Sequence, residues 1–243
     1  MTRRFDNISN SLQSQPSHPA VYLLNLAHLV AGVPFLFAML ACCAQQADAA
    51  IVSTSGAASE ISPPASVFQG ALESNSVAVV FLEKANLTLS TDLEVNTTSP
   101  GTYTGNNNPT AKLSAGHTIS SYFVHMDQVG TSGSTSYVGS ITFDTDVLAI
   151  IWSQAKLNAT DSLLGSASVS YPTGVSGIER GSIDSSGTND TIELSADRRT
   201  VSFDLLHNSN NIEQFRIITE IPEPHCMLLL LTSLAVMPFS RHH

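Results

Sequence analysis

The residues best placed for chemistry are acids and histidines set close together in a chain otherwise rich in serine and threonine. In "FDTDV", Asp144 and Asp146 occupy alternate positions and so share one side of an extended segment, while Asp184, Asn189 and Asp190 crowd a single loop. Oxygen ligands at that density could hold calcium. Neither stretch carries the ordered Asp-x-Asp-x-Asp-Gly ladder, so solvated turn acids are the simpler reading and no cofactor is expected. In "VHMDQ", His125 and Asp127 also share a strand face, as two members of a hydrolase triad would. Serine is too common here for a third member to be singled out, and a pair without catalytic work is favoured.

Three further features could bear on function. "SQAK", Ser153 to Lys156, matches the Ser-x-x-Lys pattern in which a lysine amine activates a serine, but its companions Ser-Asp-Asn and Lys-Thr-Gly are missing and the motif follows a predicted strand. Trp152, the only tryptophan, could form a sugar-stacking platform with Tyr103, Tyr122, Tyr137 or Tyr171, although its apolar surroundings point to the core. Sequons at Asn86, Asn96, Asn158 and Asn189 indicate exposed polar turns. Gly-x-Ser-x-Gly, phosphate-loop and His-Glu-x-x-His patterns are absent, so no catalytic residue is assigned.

The elements that must position these residues occupy the middle of the chain. Between residues 50 and 220 there are 7 basic against 17 acidic side chains, a surface that repels nucleic acid and anionic lipid. Cys42, Cys43 and Cys226 lie in the terminal segments, which leaves the body without a disulfide or a cysteine metal site. Short runs rich in Val, Ile, Phe and Tyr alternate with Ser, Thr, Gly, Asn and Pro, the pattern of an all-β domain. Strands are predicted at 76–83, 119–127, 137–144, 147–153, 190–195, 200–206 and 213–219, with weaker ones at 87–89, 93–95 and 167–170. In "TVSFDLL" Val201, Phe203 and Leu205 oppose Ser202 and Asp204, and in "QFRIIT" Phe215 and Ile217 oppose Arg216. One wet face favours antiparallel sheets, and the continuously apolar "VLAIIW" reads as an interior strand. An antiparallel β-sandwich or jelly roll is expected, flanked by two terminal hydrophobic targeting helices. A short helix is predicted at "NATDSLLG", capped by Thr160 or Asp161 and ended by Gly165.

Residues 1–49 have the parts of a secretory signal: Arg3 and Arg4, an apolar run from Ala20 to Leu40, and a small-x-small exit at Ala47 and Ala49. Cleavage after Ala49 is expected. A retained anchor is disfavoured by Asn25, His28 and Pro34 within the run, and a lipoprotein with the lipobox "MLAC" ending at Cys42 by the poor fit of Leu40 before Ala41.

At the other end, residues 221–243 read "IPEPHCMLLLLTSLAVMPFSRHH". Pro222, Glu223 and Pro224, an apolar segment and Arg241 follow one another as in the PEP-CTERM sorting signal of bacterial exported proteins, which this tail resembles. The same tail is also known as the ice-binding protein C-terminal domain, a description of the tail and not of its ligand. The apolar run is short for a membrane span of about 20 residues and contains Pro238. The resemblance implies transient membrane insertion, removal of the tail by an exosortase, and delivery to the cell surface or extracellular matrix. The body, in stretches such as "SYFVHMDQVG" and "GSITFDTDVLAIIWS", is similar to an uncharacterised exported β domain that carries this tail. No activity transfers from that likeness.

The sequence therefore points to a non-catalytic exported surface or matrix protein, associated with exopolysaccharide or biofilm. Its expected partners are signal peptidase and exosortase during export, with extracellular polysaccharide as candidate ligand. A carbohydrate-active hydrolase is the alternative, with Asp144 paired to Asp127 or Asp204 about 5 to 10 Å away. A passive coat protein without a ligand is the third reading.

Overall fold

Segments that alternate apolar and polar residues bury one face and pair along their edges. Twelve strands and one helix form among the described residues of the computed structural model, which are 49–104, 108–130, 133–175, 180–181, 190–208 and 211–221. All belong to the unit Gln46–Pro224. In chain order they are β1 (Ile51–Gly56), β2 (Ala58–Glu60), β3 (Ala78–Thr88), β4 (Leu93–Val95), β5 (Gly101–Thr104), β6 (Ala111–Leu113), β7 (Thr118–Met126), β8 (Ser134–Phe143) and β9 (Val147–Ile151). Helix α1 (Gln154–Leu164) follows, then β10 (Thr191–Leu194), β11 (Thr200–Asn208) and β12 (Glu213–Glu220).

The strands form three sheets: β1-β8-β11-β10-β5, β2-β3-β7-β12-β9, and the pair β4-β6. Every pairing is antiparallel except β2 with β3. The first sheet turns Ile141, Phe203 and Ile192 into an apolar cluster that also takes Val80, Val124 and Phe215 from the second sheet. A second cluster covers the opposite face of the second sheet, where Phe81, Phe123 and Ile218 meet Leu157 and Leu164 of α1 and Leu93 and Leu113 of the small pair. The second sheet is thus buried on both sides, and the first on one.

This two-sided cover explains where the observed elements differ from the expected ones. Arg216, expected on a wet face, is fully buried beneath α1. β9 is buried on both faces as its composition implies, yet it lies at the end of its sheet, with Ile150 bonded to the backbone of Thr97 beyond it. Helix α1 begins earlier than predicted, with Ser153 as its N-cap residue, so Thr160 and Asp161 lie inside it and face the sheet. The strands β1, β2, β5 and β6 have no counterpart in the prediction. Of the weaker predicted strands, 93–95 forms β4, and the segment at 167–170 contributes only an isolated bridge between Ser170 and Ser66.

The chain passes from the first sheet to the second at Gly56 and Ala57. Gly56 has a φ of 62°, and a Cβ there would lie 2.2 Å from the Val138 carbonyl oxygen. Only glycine supplies both the left-handed backbone and the close approach. The corner is held by Ala57 N–H donating to Val138 O and by Ala78 N–H donating to Ala57 O, each at 2.8 Å.

No helix among the described residues is long and apolar enough to cross a membrane. Ala47, Pro222, Glu223, Pro224 and Arg241 lie outside the described residues.

Candidate functional site

Two constellations stand out, one buried and one exposed. The buried one lies between β12, β3 and α1. Arg216 donates to Glu83 through Nε at 2.6 Å and Nη2 at 2.8 Å, to Asp161 at 3.1 Å and to Thr160 Oγ1 at 2.7 Å. Arg180 donates to Asp161 at 2.6 Å, to Asn158 Oδ1 at 2.8 Å and to Gln214 Oε1 at 2.7 Å. The Phe123 ring packs against both guanidinium groups, at 5.1 Å from Arg216 and 5.9 Å from Arg180. Burial alone would raise the Asp161 pKa, but the hydrogen bonds and charge of Arg180, with Thr173 and Arg216, hold it below the usual carboxylate value. Two cations meet two anions with their donors used, so the network fastens α1 to the second sheet and offers nothing to a substrate.

His125 extends this network. Its Nδ1 lies 2.9 Å from Gln214 Nε2, which also donates to Val67 O at 2.8 Å. Its pKa is pushed down to about 3 by burial and by the nearby charges of His207 and Arg180. Asp127, its expected partner, instead accepts the Gly70 N–H at 2.5 Å, and His125 Nε2 finds no partner among the described residues. Burial raises the Asp127 pKa, with Glu73 adding to the shift and the Gly70 bond opposing it. The same-face pair seen in the sequence is therefore two separate buried groups.

The other sequence candidates also disperse. Asp144 accepts the Ala50 N–H at 2.8 Å, Asp146 lies 3.8 Å from Arg199, and the buried Asp190 accepts the Leu206 N–H at 2.7 Å. Asp184 and Asn189 fall outside the described residues. Among the described residues no group of three or more His, Cys, Asp or Glu is arranged to hold a metal. Asp204 pairs with Val138, six positions from Asp144 along β8, a separation of roughly 20 Å at about 3.3 Å per residue. Asp127 lies near Tyr137, further still along β8. Neither acid meets Asp144 in one cleft.

Ser-Gln-Ala-Lys does open a helix, contrary to expectation, yet Lys156 Nζ donates to Pro109 O at 3.3 Å and the buried Ser153 Oγ has no partner among the described residues. Trp152 is fully buried against Tyr103, with ring centroids 5.1 Å apart, and Tyr122 and Tyr137 are buried as well. No aromatic platform forms from them. Asn96 is also buried; its Oδ1 accepts Trp152 N–H and Ser153 N–H, so this sequon is not an exposed turn.

The exposed constellation was not legible as a site. Each strand of the first sheet turns alternate residues outward, and the register lines them up in rows. Ser55 pairs with Ser140, Ser140 with Ser202, Ser202 with Glu193, and Glu193 with Thr102, one row crossing all five strands. The adjacent row runs Val138, Asp204, Thr191, Thr104. Hydroxyls bond across strands, Ser55 to Ser140 at 2.8 Å and Thr142 to Thr200 at 3.1 Å. A shallow open groove of about 410 Å³ lies over this face, lined among others by Ser55, Ser140, Thr191, Glu193, Ser202 and Asp204. Its chemistry is hydroxyl and carboxylate, and none of the outward residues in these rows is aromatic. The alternation in "TVSFDLL" predicted the wet face of one strand, but the rows depend on pairing with β1 and β5, which were unpredicted.

Comparison with known proteins finds no matching family model, no matching curated protein and no matching solved structure.

Proposed function

We propose that this chain is a non-catalytic exported protein of the cell surface or extracellular matrix, in which the two large sheets pack as a β-sandwich and the hydroxyl face of the first binds polysaccharide. The carrying observation is the row Ser55, Ser140, Ser202, Glu193, Thr102, which presents donors and acceptors across the full width of a sheet. Each bond to a sugar hydroxyl contributes only about 0.5–1.5 kcal/mol, so useful affinity comes from a long polymer engaging many at once. The net charge of −10 favours a neutral polysaccharide over an anionic one. Export rests on the terminal segments: a leader removed after Ala49, and a tail with Pro222, Glu223, Pro224 and Arg241 read by an exosortase.

The test is co-sedimentation with insoluble neutral polysaccharides and a glycan array, each with and without calcium. Ser202→Arg places a bulky side chain across the row, and Glu193→Ala removes its carboxylate. Retention by wild type that drops at least several-fold in both variants supports the reading. Binding that both variants leave unchanged excludes this face, and no binding by wild type favours a passive coat protein.

A second reading follows from Glu193 and Asp204. They are diagonal neighbours on one face of β10 and β11, about 7–8 Å apart between backbones, from which two carboxyl groups can reach the roughly 5–9.5 Å separation of paired catalytic carboxylates. Release of reducing ends from a bound polysaccharide, abolished by Glu193→Gln, would replace binding with hydrolysis.

A further inference from the structure

The peptide nitrogen of Ala50 donates to Asp144 Oδ1 at 2.8 Å, and the Asp144 N–H returns a bond to Ala50 O at 3.1 Å. This two-way clasp joins the residue before β1 to the residue after β8, next to the register pair Ile51 and Phe143. A neutral amide needs no carboxylate at that position. The sequence gives an independent reason for one: Ala47 and Ala49 make the small-x-small exit whose cleavage would free that same nitrogen.

We propose that the α-amino group of Ala50, released when the leader is removed, docks as an ammonium on the Asp144 carboxylate and pins the edge strand β1 to β8. The proposal rests on the export reading and deepens it. Peptidase-catalysed hydrolysis consumes one water, leaving a carboxylate on Ala49 and an amine on Ala50, which takes up a proton from solvent near neutral pH. The bond from a neutral amide to the carboxylate thereby becomes one between two charged groups. Asp146 and Arg199, the neighbouring charges of the same region, are engaged with each other at 3.8 Å. In the uncleaved chain Ala49 is buried and its carbonyl accepts the Tyr122 hydroxyl.

The experiment expresses the full chain, as wild type and as Asp144→Asn, in a secretion-competent bacterium and recovers the exported protein. N-terminal sequencing locates the first residue, and pH-dependent acylation read by mass spectrometry titrates its amine. The expected result is a chain beginning at Ala50. Its amine should titrate above the usual range of about 7.7–8.0 in wild type, by roughly half a unit relative to Asp144→Asn. Should Asp144→Asn fail to fold, wild type alone decides, because about 1 M salt should erase most of the elevation. A first residue other than Ala50, or an amine indifferent to both Asp144→Asn and salt, overturns the clasp while leaving export standing. A chain that keeps residues 1–49 in every cell fraction overturns the export reading and the clasp together.

Discussion

At the scale of residues, the buried charges and histidines dominate. Asp161 bridges Arg180 and Arg216 at the underside of α1, and removing its charge leaves two guanidinium groups with one carboxylate between them. Asp161→Asn should therefore cost about 3–5 kcal/mol in a urea unfolding series, the usual consequence of breaking a buried pair from one side. His125 sets the acid response. Its folded pKa of about 3 lies below the unfolded value of 6.5, so between those limits the unfolded chain binds the extra proton. Stability is complete above about pH 6.5 and falls as the pH drops through that window, by about 1.4 kcal/mol per unit once well inside it. His207 shifts in the same direction through burial. Unfolding free energies measured at pH 7 and pH 5 should differ by roughly 2 kcal/mol, and His125→Gln should remove much of that difference. An unchanged slope in the variant would assign the acid response elsewhere. Little of this was readable in the sequence. Arg216 alternates with Phe215 and Ile217 like a solvent-facing residue, because a period of two says which residues share a face and not what covers it.

At the scale of elements, the long strands were legible because their runs are apolar enough to declare themselves. β7, β8, β9, β10, β11 and β12 all form where the alternation and β-branched content put them. The strands missed are short and polar: "IVSTSG", "ASE", "GTYT" and "AKL" carry too little apolar signal and are extended only because a neighbour supplies the other half of the ladder. The hydroxyl rows vanished from view with β1 and β5, and with them the candidate site. The helix was recognised but started late, since the buried Thr160 and Asp161 look like capping residues in isolation. The corner between β1 and β2 is the element-level weak point. Gly56→Ala forces a side chain against the Val138 carbonyl in a left-handed conformation, and a loss of about 2–4 kcal/mol is expected. Denaturant midpoints for Gly56→Ala beside Gly70→Ala separate the two causes, because Gly70 also has positive φ but an added Cβ there meets nothing within 4 Å. Equal losses in both would assign the cost to backbone conformation alone.

At the scale of the whole molecule, the first sheet is assembled from distant parts of the chain. Ile51 waits for Phe143, Tyr103 for Ile192, and Thr142 for Thr200, while among its four strand pairings only the β10–β11 hairpin closes locally. Closing such large loops must precede the contacts that reward it, so folding of this body belongs in the millisecond-to-second range and not in microseconds. Stopped-flow refolding from urea, followed by the fluorescence of the single buried Trp152, should show that slow phase. A submillisecond recovery would contradict it. On the export proposed above, such slowness would have a use, because a chain crosses a membrane as an extended thread. β1, the first strand among the described residues, has no sheet partner until β8 exists, which would leave time for such threading before the sheet can lock.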